Sequence, residues 1–335
     1  ESLLERAKAG TYRAPAVRRV HIPKGKGETR PIGIPTFEDK VLQRAVQMVL
    51  EPVYEQDFLS CSYGFRPGRN QHQCIEALRV AAQSMAGGWV LEVDIRKFFD
   101  TIPRQRLLEV VSQRVRDGVI HRLIAKWLHA GVTENGMTTQ SESGTPQGGV
   151  ISPLLANIYL HEVLDTWFER DVRPRMHGQS HLFRYADDAV VLFEKEEDAR
   201  RVLEVLPKRF EKYGLTLHPE KTRLVCFRRP DRDTTDRDGG GGPGTFNFLG
   251  FTHHWGQLKR GTWVVLRRTK GSSARRALRD MWLWLKAKHH LPLDEQQGSL
   301  NNRLRGHYGY FNIRGNRNSV WKHFWAVRGA WKRWL

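Results

Sequence analysis

The alternation of apolar and polar positions predicts a hairpin in the middle of the chain. Two runs rich in aromatic and β-branched residues, LFRY at 182–185 and AVVLF at 189–193, have the composition of buried strands. Only Ala186, Asp187 and Asp188 lie between them. A third strand-like run, WVLEVDI at 89–95, carries Asp94 near its end. The pattern therefore places two adjacent aspartates on a tight turn between buried strands.

Helical periodicity is clear in four other segments. Residues 196–213 predict a helix that ends before Gly214 and that Pro207 kinks or splits. Residues 37–50 predict a helix whose shared apolar face contains Val41, Leu42, Ala45, Val46 and Val49. A helix capped by Ser272 or Ser273 has a face made of Ala274, Leu278, Met281, Trp282 and Leu285. A helix from Ser319 aligns Trp321, Phe324, Trp325, Arg328 and Trp331.

Polar stretches separate these elements. KGKGE at 24–28 predicts a hairpin turn between two basic strands within residues 17–35. Residues 228–245 contain a glycine-rich run without core residues, which predicts a flexible hairpin tip. Strands that carry the aspartates, with helices packed on one face, indicate an α+β fold.

Asp94, Asp187 and Asp188 are the candidate metal ligands. Adjacent carboxylates between buried strands repel each other, which a bound cation offsets. Mg²⁺ prefers hard oxygen ligands, and two such ions about 4 Å apart can activate a hydroxyl and stabilise a leaving pyrophosphate. Taken alone, however, an Asp-Asp pair is more often a solvated turn. The rest of the chain has to decide between these interpretations.

The charge of the chain indicates a polyanionic partner. The 335 residues carry a formal charge of +19 at pH 7, and the sequence pI is about 10.2. Residues 256–335 contain 18 Lys or Arg and 3 Asp or Glu, a difference of +15. Eight of the 11 tryptophans lie at or beyond Trp255. Basic and aromatic residues together suit a nucleic-acid groove, although most of these tryptophans individually suit a small helical core.

Cysteine usage and hydropathy bear on location. Cys61, Cys74 and Cys226 occur singly, without the spacing of a zinc site or a disulfide framework, which is typical of a reducing cytoplasm. No segment has the length of an apolar membrane span, and no secretory signal is visible at Glu1. The sequence therefore predicts a cytoplasmic protein without a membrane partner.

A glycine-rich block lies between the two aspartate motifs. GTPQGGVISPLLANIYL at 144–160 is a turn that leads into an apolar helix, where glycines allow close backbone approach and Gln147 adds an amide. The order of Asp94, this block and the Asp187-Asp188 pair resembles the palm of a reverse transcriptase, specifically of the group II intron-encoded family. Segments that resemble other motifs of the family, in its order, are RRVHIPK (18–24), RPIGIP (30–35), SYGFRPGR (62–69), LHPEKT (217–222), FNFLGF (246–251), LRGHYGYF (304–311) and RGN (314–316).

The resemblance implies a right-hand polymerase. The fingers would occupy residues 1–87, with the N-terminal block of the family truncated. The palm, an antiparallel sheet with helices on one face, would occupy residues 88–255 with part of the fingers inserted. Residues 256–335 would form a basic, helical thumb or maturase region. The chain resembles bacterial members without the C-terminal endonuclease domain, so self-contained DNA cutting is not expected.

The resemblance also implies roles for single residues. Asp94, Asp187 and Asp188, with the Ile95 carbonyl, would hold two Mg²⁺ ions, for which Mn²⁺ could substitute. Lys221 would donate a proton to pyrophosphate. The residues expected at the incoming nucleotide are Lys24 and Arg30 on its triphosphate, Ile95, Gln147, and Phe99 as the aromatic group that excludes a ribose 2′-hydroxyl. Those expected at the template or primer are Arg66, Gly148, Tyr185, Phe248, Leu249, Gly250, Arg275, Arg279 and Arg305.

Simpler interpretations stay open for some of these residues. Lys24, Arg30 and Lys221 could be ordinary solvated surface charges. Phe99 could be plain core, although packing and sugar selection do not exclude each other.

The implied activity is RNA-directed DNA synthesis from deoxynucleoside triphosphates, on an RNA template with a DNA primer. An intron-encoded member would also bind structured intron RNA to promote splicing, and would copy the RNA inserted into target DNA during retrohoming. Such a protein would be associated with the bacterial nucleoid. Two alternatives are a domesticated relative in CRISPR spacer acquisition or phage defence, and a maturase that is only an RNA-binding splicing cofactor. The sequence does not define an oligomeric state.

Overall fold

The predicted apolar runs form strands in the computed structural model. The model describes residues 2–25, 28–139, 148–230 and 244–335, with the backbone alone at 24, 25 and 28. Its strands are β1 (Val17–Gly25), β2 (Glu28–Ile34), β3 (Trp89–Val93), β4 (Val132–Glu134), β5 (Met137–Thr139), β6 (Ser180–Tyr185), β7 (Asp188–Phe193), β8 (Arg223–Cys226), β9 (Phe246–Phe248), β10 (Phe251–Gln257) and β11 (Trp263–Thr269).

Helices make up much of the remaining described chain. They are α1 (Leu3–Ala9), α2 (Phe37–Glu55), α3 (Gln71–Ser84), α4 (Phe98–Thr101), α5 (Arg104–Ser112), α6 (Gly118–Leu128), α7 (Ser152–Leu160), α8 (Glu196–Lys212), α9 (Gly271–Lys288), α10 (Leu293–Phe311) and α11 (Arg317–Trp334). After α7 the helix continues through π-helical turns at His161–Thr166 and Phe168–Val172 and a 3₁₀ turn at Arg173–Arg175.

The described chain divides into two compact units. The first contains Glu1–Cys74 and Leu91–Leu224, and the second contains Ile75–Val90 and Val225–Leu335. These boundaries differ from the three regions predicted from the sequence, because residues 75–90 and 225–255 group with the C-terminal residues. The division into fingers, palm and thumb therefore stays a prediction.

Two four-stranded sheets have the orders β2-β1-β4-β5 and β6-β7-β3-β8. β1 and β2 are antiparallel with Gly25 opposite Glu28, so they flank the predicted turn, whose residues 26 and 27 lie outside the described chain. β4 and β5 were not predicted, and β4 runs parallel to β1 with Val17 opposite Val132. In the second sheet the β6–β7 pair is the predicted hairpin, with Leu182 opposite Val191.

Helix α2 is longer than predicted and buries a different face. Its buried residues are Asp39, Leu42, Gln43, Val46, Leu50 and Tyr54. The predicted face was therefore wrong for Val41, Ala45 and Val49, which are exposed. Tertiary partners explain the choice: Asp39 accepts a short hydrogen bond from the Tyr12 hydroxyl, and the Gln43 side chain accepts one from the backbone N–H of Ile151. A buried polar group with a partner costs little, so these two positions can face inward.

Helix α8 passes through Pro207 without a break, so the expected split does not occur. Pro207 lies on the exposed side of the helix. Water can hydrate the backbone carbonyl that the proline leaves without a donor at such a position. The buried stripe of this helix is formed by Asp198, Ala199, Val202, Leu206 and Phe210.

The second unit combines a three-stranded sheet, ordered β11-β10-β9, with α9, α10 and α11. Met281, Leu285, Leu300 and Val327 form the buried core between these helices, with Trp331 and Trp334 packed against it. The predicted helix faces were partly wrong. The side chains of Trp282, Trp321, Phe324 and Trp325 are exposed, whereas His323 is buried.

Two further expectations concern the predicted glycine-rich loop and membrane-spanning segments. The core of the predicted loop, residues 231–243, is not among the described residues. No helix in the parts of the chain that the structure describes is long and apolar enough to cross a membrane.

Candidate active site

The aspartate turn lies at the end of the β6–β7 hairpin. Tyr185 pairs with Asp188, so Ala186 and Asp187 form the turn itself. Ala186 has a φ of 56°, in the left-handed region that non-glycine residues adopt infrequently. Its side chain is buried, Asp187 is partly buried, and Asp188 is exposed. The hairpin therefore presents the two neighbouring carboxylates to different environments.

The segment SYG at 62–64 packs against this turn and forms backbone hydrogen bonds next to it. The backbone N–H of Tyr63 donates to the Arg184 carbonyl at 2.8 Å, and the N–H of Arg184 donates to the Cys61 carbonyl at 2.8 Å. A Cβ added to Gly64 would lie 2.3 Å from the Ala186 backbone nitrogen. Only glycine allows this approach, which explains its place in the motif.

Arg184 fixes the turn from inside the molecule. The side chain is fully buried, and its guanidinium donates to both carboxylate oxygens of Asp165, at 2.7 and 2.5 Å. It also donates to Asn157 Oδ1 at 2.9 Å, Ser62 Oγ at 2.8 Å and the Ala186 carbonyl at 3.0 Å. Burial acts against this charge, but Asp165 keeps the pKa of Arg184 above its ordinary value. The network thus ties the aspartate turn to a buried ion pair.

Sequence reasoning missed this network. A signal was present, because Arg184 interrupts an apolar strand and Asn157 lies in the apolar helix α7. Buried charges are rarely unpaired, so these residues called for partners. The sequence could not show that they are partners of each other.

Asp94 is positioned by an irregular continuation of β3. Ile95 bridges Leu217 in antiparallel fashion, through the His218 N–H to the Asp94 carbonyl and the Arg96 N–H to the Thr216 carbonyl. This bridge uses the Asp94 carbonyl and the Arg96 N–H. It does not engage the Ile95 carbonyl, which is the group predicted to bind the metal. The Asp94 carboxylate accepts hydrogen bonds from Lys221 Nζ at 3.3 and 3.4 Å.

Electrostatic interactions connect Asp94 and Asp187. Burial raises the pKa of Asp187 above its ordinary value, and the charge of Asp94 adds to the rise. The guanidinium of Arg30 opposes it. Two carboxylates and an arginine from β3, the hairpin turn and β2 therefore lie within interaction range of one another. The charges of these three predicted residues therefore influence one another.

The predicted grouping of all three aspartates is only partly assembled. Among the described residues, no three His, Cys, Asp or Glu side chains are grouped so that they could hold a metal ion. The Asp94 carboxylate instead accepts hydrogen bonds from the Lys221 ammonium at both of its oxygens. The available donors, two interacting carboxylates and a backbone carbonyl, nevertheless suit a hard divalent cation. The role of Asp94, Asp187 and Asp188 as metal ligands therefore stays a prediction.

Of the three remaining predicted nucleotide contacts, only Phe99 has a described side chain. Phe99 is half-buried and packs edge-to-face on Phe98 at 5.2 Å. Both residues lie in the short helix α4, whose N-cap residue Lys97 has a φ of 47°. The side chain of Lys24 and all of Gln147 lie outside the described residues.

The predicted template and primer contacts differ in their surroundings. Arg66 is buried, and its guanidinium donates to Glu55 and to the carbonyls of Leu59, Ser62 and Phe58. All of its nitrogens are thus engaged within the protein, which makes it a structural arginine and leaves its predicted template contact without support. Tyr185 is half-buried at the turn.

Gly148 lies against β2 of the first unit. A Cβ there would lie 2.5 Å from the Gly33 carbonyl oxygen, and its φ is 110°. Glycine is required for this contact, whatever the residue does at the primer.

The remaining predicted contacts belong to the second unit. Leu249 and Gly250, with φ values of 46° and 79°, form the turn between β9 and β10. The Leu249 carbonyl accepts a hydrogen bond from the Tyr310 hydroxyl at 2.8 Å. Phe248 is buried, so its side chain serves the core. Arg275, Arg279 and Arg305 are exposed.

With this geometry established, comparison with known proteins identifies the class. The chain matches the family model "Reverse transcriptase (RNA-dependent DNA polymerase)" over residues 22–253, more than half its length. The chain belongs to the reverse transcriptase family, whose members generally depend on a divalent metal. Within this family it is of the group II intron-encoded reverse transcriptase/maturase type, as its motifs predict.

Curated relatives support this assignment. The group II intron-encoded protein LtrA of Lactococcus lactis subsp. cremoris is 38% identical over 221 residues, which cover 62% of this chain and 36% of LtrA. Protein YkfC of Escherichia coli (strain K12) is 41% identical over 157 residues, covering 46% of this chain and 41% of YkfC. Nuclear intron maturase 2 of Arabidopsis thaliana is 29% identical over 234 residues, which cover 58% of this chain and 30% of the maturase. The chain spans less than half the length of these relatives.

Solved structures show the fold. The telomerase of Candida albicans, in complex with a fragment of telomeric RNA, has a TM-score of 0.56 and 12% identity over 96% of this chain and 56% of its own. Apo telomerase from Candida tropicalis has a TM-score of 0.52 and 14% identity over 74% of this chain and 56% of its own. The fold is that of a right-hand polymerase, as predicted.

Proposed function

We propose that the chain is an RNA-directed DNA polymerase that copies RNA into cDNA from a DNA primer. One observation carries the proposal: the partly buried carboxylate of Asp187 lies within electrostatic range of Asp94 and Arg30. Paired carboxylates suit a divalent cation, and a guanidinium suits the phosphates of a nucleotide. The family model supports the same activity.

Asp94, Asp187 and Asp188, with the Ile95 carbonyl, would hold two Mg²⁺ ions, which supply activation of the primer hydroxyl and neutralise charge on pyrophosphate. Arg30 binds the triphosphate through its planar guanidinium, joined by Lys24 and Gln147. Lys221, which is paired with Asp94, donates a proton to pyrophosphate. Phe99, held by Phe98, excludes the ribose 2′-hydroxyl.

The biological role we propose is that of an intron-encoded protein. The chain would bind structured intron RNA to assist splicing, and would reverse transcribe the RNA inserted into target DNA at the bacterial nucleoid during retrohoming. The relatives LtrA and nuclear intron maturase 2 support this role by their similarity. The basic residues 256–335, with 18 Lys or Arg against 3 Asp or Glu, provide charge for such an RNA.

Primer extension tests the proposed activity. The protein should extend a labelled DNA primer on an RNA template with Mg²⁺ and deoxynucleotides. The double variant Asp187→Ala/Asp188→Ala should lose more than roughly 100-fold of this rate, because metal ligands matter at least as much as the groups that orient them. Asp171→Ala, at an exposed aspartate, should extend the primer normally. Wild-type rates in the double variant would show that the carboxylate assignment is wrong.

Sequencing of RNA that copurifies with the protein tests the biological role. Enrichment of an intron RNA is expected, with splicing stimulated by the protein. Intron binding without any primer extension by the wild type would instead indicate a maturase that acts only as a splicing cofactor. Enrichment of unrelated RNA would favour a domesticated enzyme.

A further inference from the structure

Phe65 combines backbone strain with exposure in an unusual way. Its φ is 56°, in the left-handed region that bulky side chains avoid, and 56% of its surface is exposed to solvent. A strained backbone costs conformational free energy, and a mostly exposed ring recovers little of it through packing in the core. Strained residues of this kind are concentrated at functional sites. The conformation of Phe65 therefore requires an explanation.

The chain is fixed on the N-terminal side of Phe65. Gly64 lies against the Ala186 backbone, where a Cβ would come within 2.3 Å of the nitrogen. The Gly64 carbonyl accepts a hydrogen bond from Asn157 Nδ2 at 2.7 Å. Asn157 is itself bound to Arg184 of the buried network. The residue that precedes Phe65 is thus held by the same groups that hold the catalytic turn.

The chain is equally fixed on the C-terminal side. The Arg66 guanidinium donates to both oxygens of Glu55 and to three backbone carbonyls. It also lies over the Phe58 ring at 5.2 Å. Because both neighbours are anchored, the protein imposes the conformation of Phe65 and presents its ring to solvent.

The ring borders the catalytic turn. It lies 6.4 Å from the ring of Tyr185, measured between centroids and tilted by 40°. The Tyr185 hydroxyl donates to Gln71 Oε1 at 3.3 Å, which orients its ring. Tyr185 is two residues from Asp187, so Phe65 and Tyr185 form an aromatic pair beside the carboxylates.

From these observations we infer that Phe65 is a stacking platform for a nucleobase of the primer–template at the growing end. This inference deepens the proposed polymerase function and rests on it. An exposed, rigid aromatic ring binds a base through its π-face without reading its identity, which suits a polymerase that has to accept every base. The Phe65 backbone keeps its left-handed conformation because the ring has to stand in this place.

Three variants separate stacking from folding. Phe65→Ala removes the ring and keeps the strained backbone, whereas Phe65→Gly removes the ring and relieves the strain. Phe65→Tyr keeps an aromatic face. The glycine variant should therefore melt at a higher temperature than the alanine variant and still lose the ring's function. A purely structural residue would not show this separation of stability from binding.

The binding experiment uses 2-aminopurine, whose fluorescence falls on stacking, placed either at the templating position or at the primer 3′ end of an RNA–DNA primer–template. Wild type and Phe65→Tyr should quench the probe at one of these positions. Phe65→Ala and Phe65→Gly should abolish that quenching and weaken primer–template binding by roughly 5- to 100-fold, the range for loss of one stacked base. The probe position that responds identifies the strand.

Phe37→Ala is the matched control, because Phe37 at the start of α2 is 81% exposed but has an ordinary helical backbone. It should bind and quench like the wild type. Unchanged quenching and affinity in both Phe65→Ala and Phe65→Gly would overturn the inference while leaving polymerase activity intact. Failure of the wild type to extend any primer would instead contradict the proposed function.

Discussion

Arg184 is the single residue on which the geometry of the aspartate turn most depends. Its planar fork of donors reaches a carboxylate, an amide, a hydroxyl and the Ala186 carbonyl together. A lysine has three donors at one point and could not hold these acceptors in place. The charge of Asp165 balances that of the guanidinium in a fully buried setting. The arrangement gives the turn rigidity at the cost of a strict requirement for both partners.

The first prediction concerns this pair. Asp165→Asn should destabilise the first unit by about 3–5 kcal/mol, because it leaves the Arg184 charge buried without a counter-charge. Primer extension should fall as well, since the turn loses a fixed point. Urea denaturation followed by circular dichroism measures the stability.

Glu169→Gln provides the comparison. Glu169 forms an ion pair of similar length with Arg173, at 2.8 Å, but both side chains are solvent-accessible. Its loss should cost no more than about 0.5 kcal/mol. Equal effects of the two substitutions would show that burial of Arg184 does not govern its contribution.

Single residues were also where the sequence was most informative. Asp94, Asp187 and Asp188 could be proposed from residue type and strand context, and two of them interact in the structure. The pairing of Arg184 with Asp165, Asn157 and Ser62 could not, because contacts between distant residues are fixed by the tertiary fold. Arg66 shows the opposite error, since a motif arginine turned out to be engaged within the protein.

At the scale of elements, the sequence predicted where helices form better than which side they bury. In α11, the large aromatic residues Trp321, Phe324 and Trp325 are exposed, whereas His323 and Val327 face the core. Apolar residues occupy more than one side of these helices, so helical periodicity alone does not decide which side is buried. Contact with α9 and α10 decides between them, and that contact is not encoded in any one helix.

The buried His323 makes this element sensitive to pH. Its ring stacks on His307 at 3.8 Å, between α10 and α11. Burial and the neighbouring His307 lower the pKa of His323 to about 4. Because the unfolded state binds a proton near pH 6.5, stability is fully present above that pH and is lost as the pH falls towards 4.

The second prediction follows from this linkage. Between pH 7 and pH 4, His323 should cost the second unit on the order of 2–3 kcal/mol of unfolding free energy. His323→Phe should flatten this part of the profile, whereas His290→Phe, at an exposed site, should leave it unchanged. Urea midpoints measured across this pH range provide the test. An identical slope in His323→Phe and wild type would contradict the prediction.

At the scale of the whole molecule, charge is distributed very unevenly. Residues 256–335 hold a difference of +15 between basic and acidic residues, out of +19 for the chain. Arg275 and Arg279 lie on α9 with exposed side chains. Contacts of such residues with phosphates release counterions, so their contribution can be read from the salt dependence of binding.

The third prediction uses that dependence. Arg275→Ala/Arg279→Ala should reduce the slope of log affinity against log salt by roughly 1 to 2 for an RNA–DNA primer–template. Arg106→Ala/Arg173→Ala removes two exposed arginines of the first unit, outside the basic residues 256–335, and it should leave the slope unchanged. Fluorescence anisotropy at several salt concentrations measures it. A slope equal to that of the wild type would place these arginines away from the phosphates.

The fold class and the family could be predicted from the sequence because the motifs of the family occur along most of the chain in a fixed order. The division into compact units could not, since residues 75–90 group with the C-terminal residues through long-range contacts. Gln83, for example, accepts a hydrogen bond from the Val265 N–H at 2.6 Å. Such a contact joins residues that no local pattern connects.

The buried pair of Arg184 and Asp165 also constrains how this family can change over time. Any single exchange that removes the charge at one position leaves the other charge unbalanced inside the protein. Evolution can therefore replace the two only together, or by way of a compensating stabilisation elsewhere. Substitution that neutralises one partner should therefore be tolerated only when the other is neutralised as well.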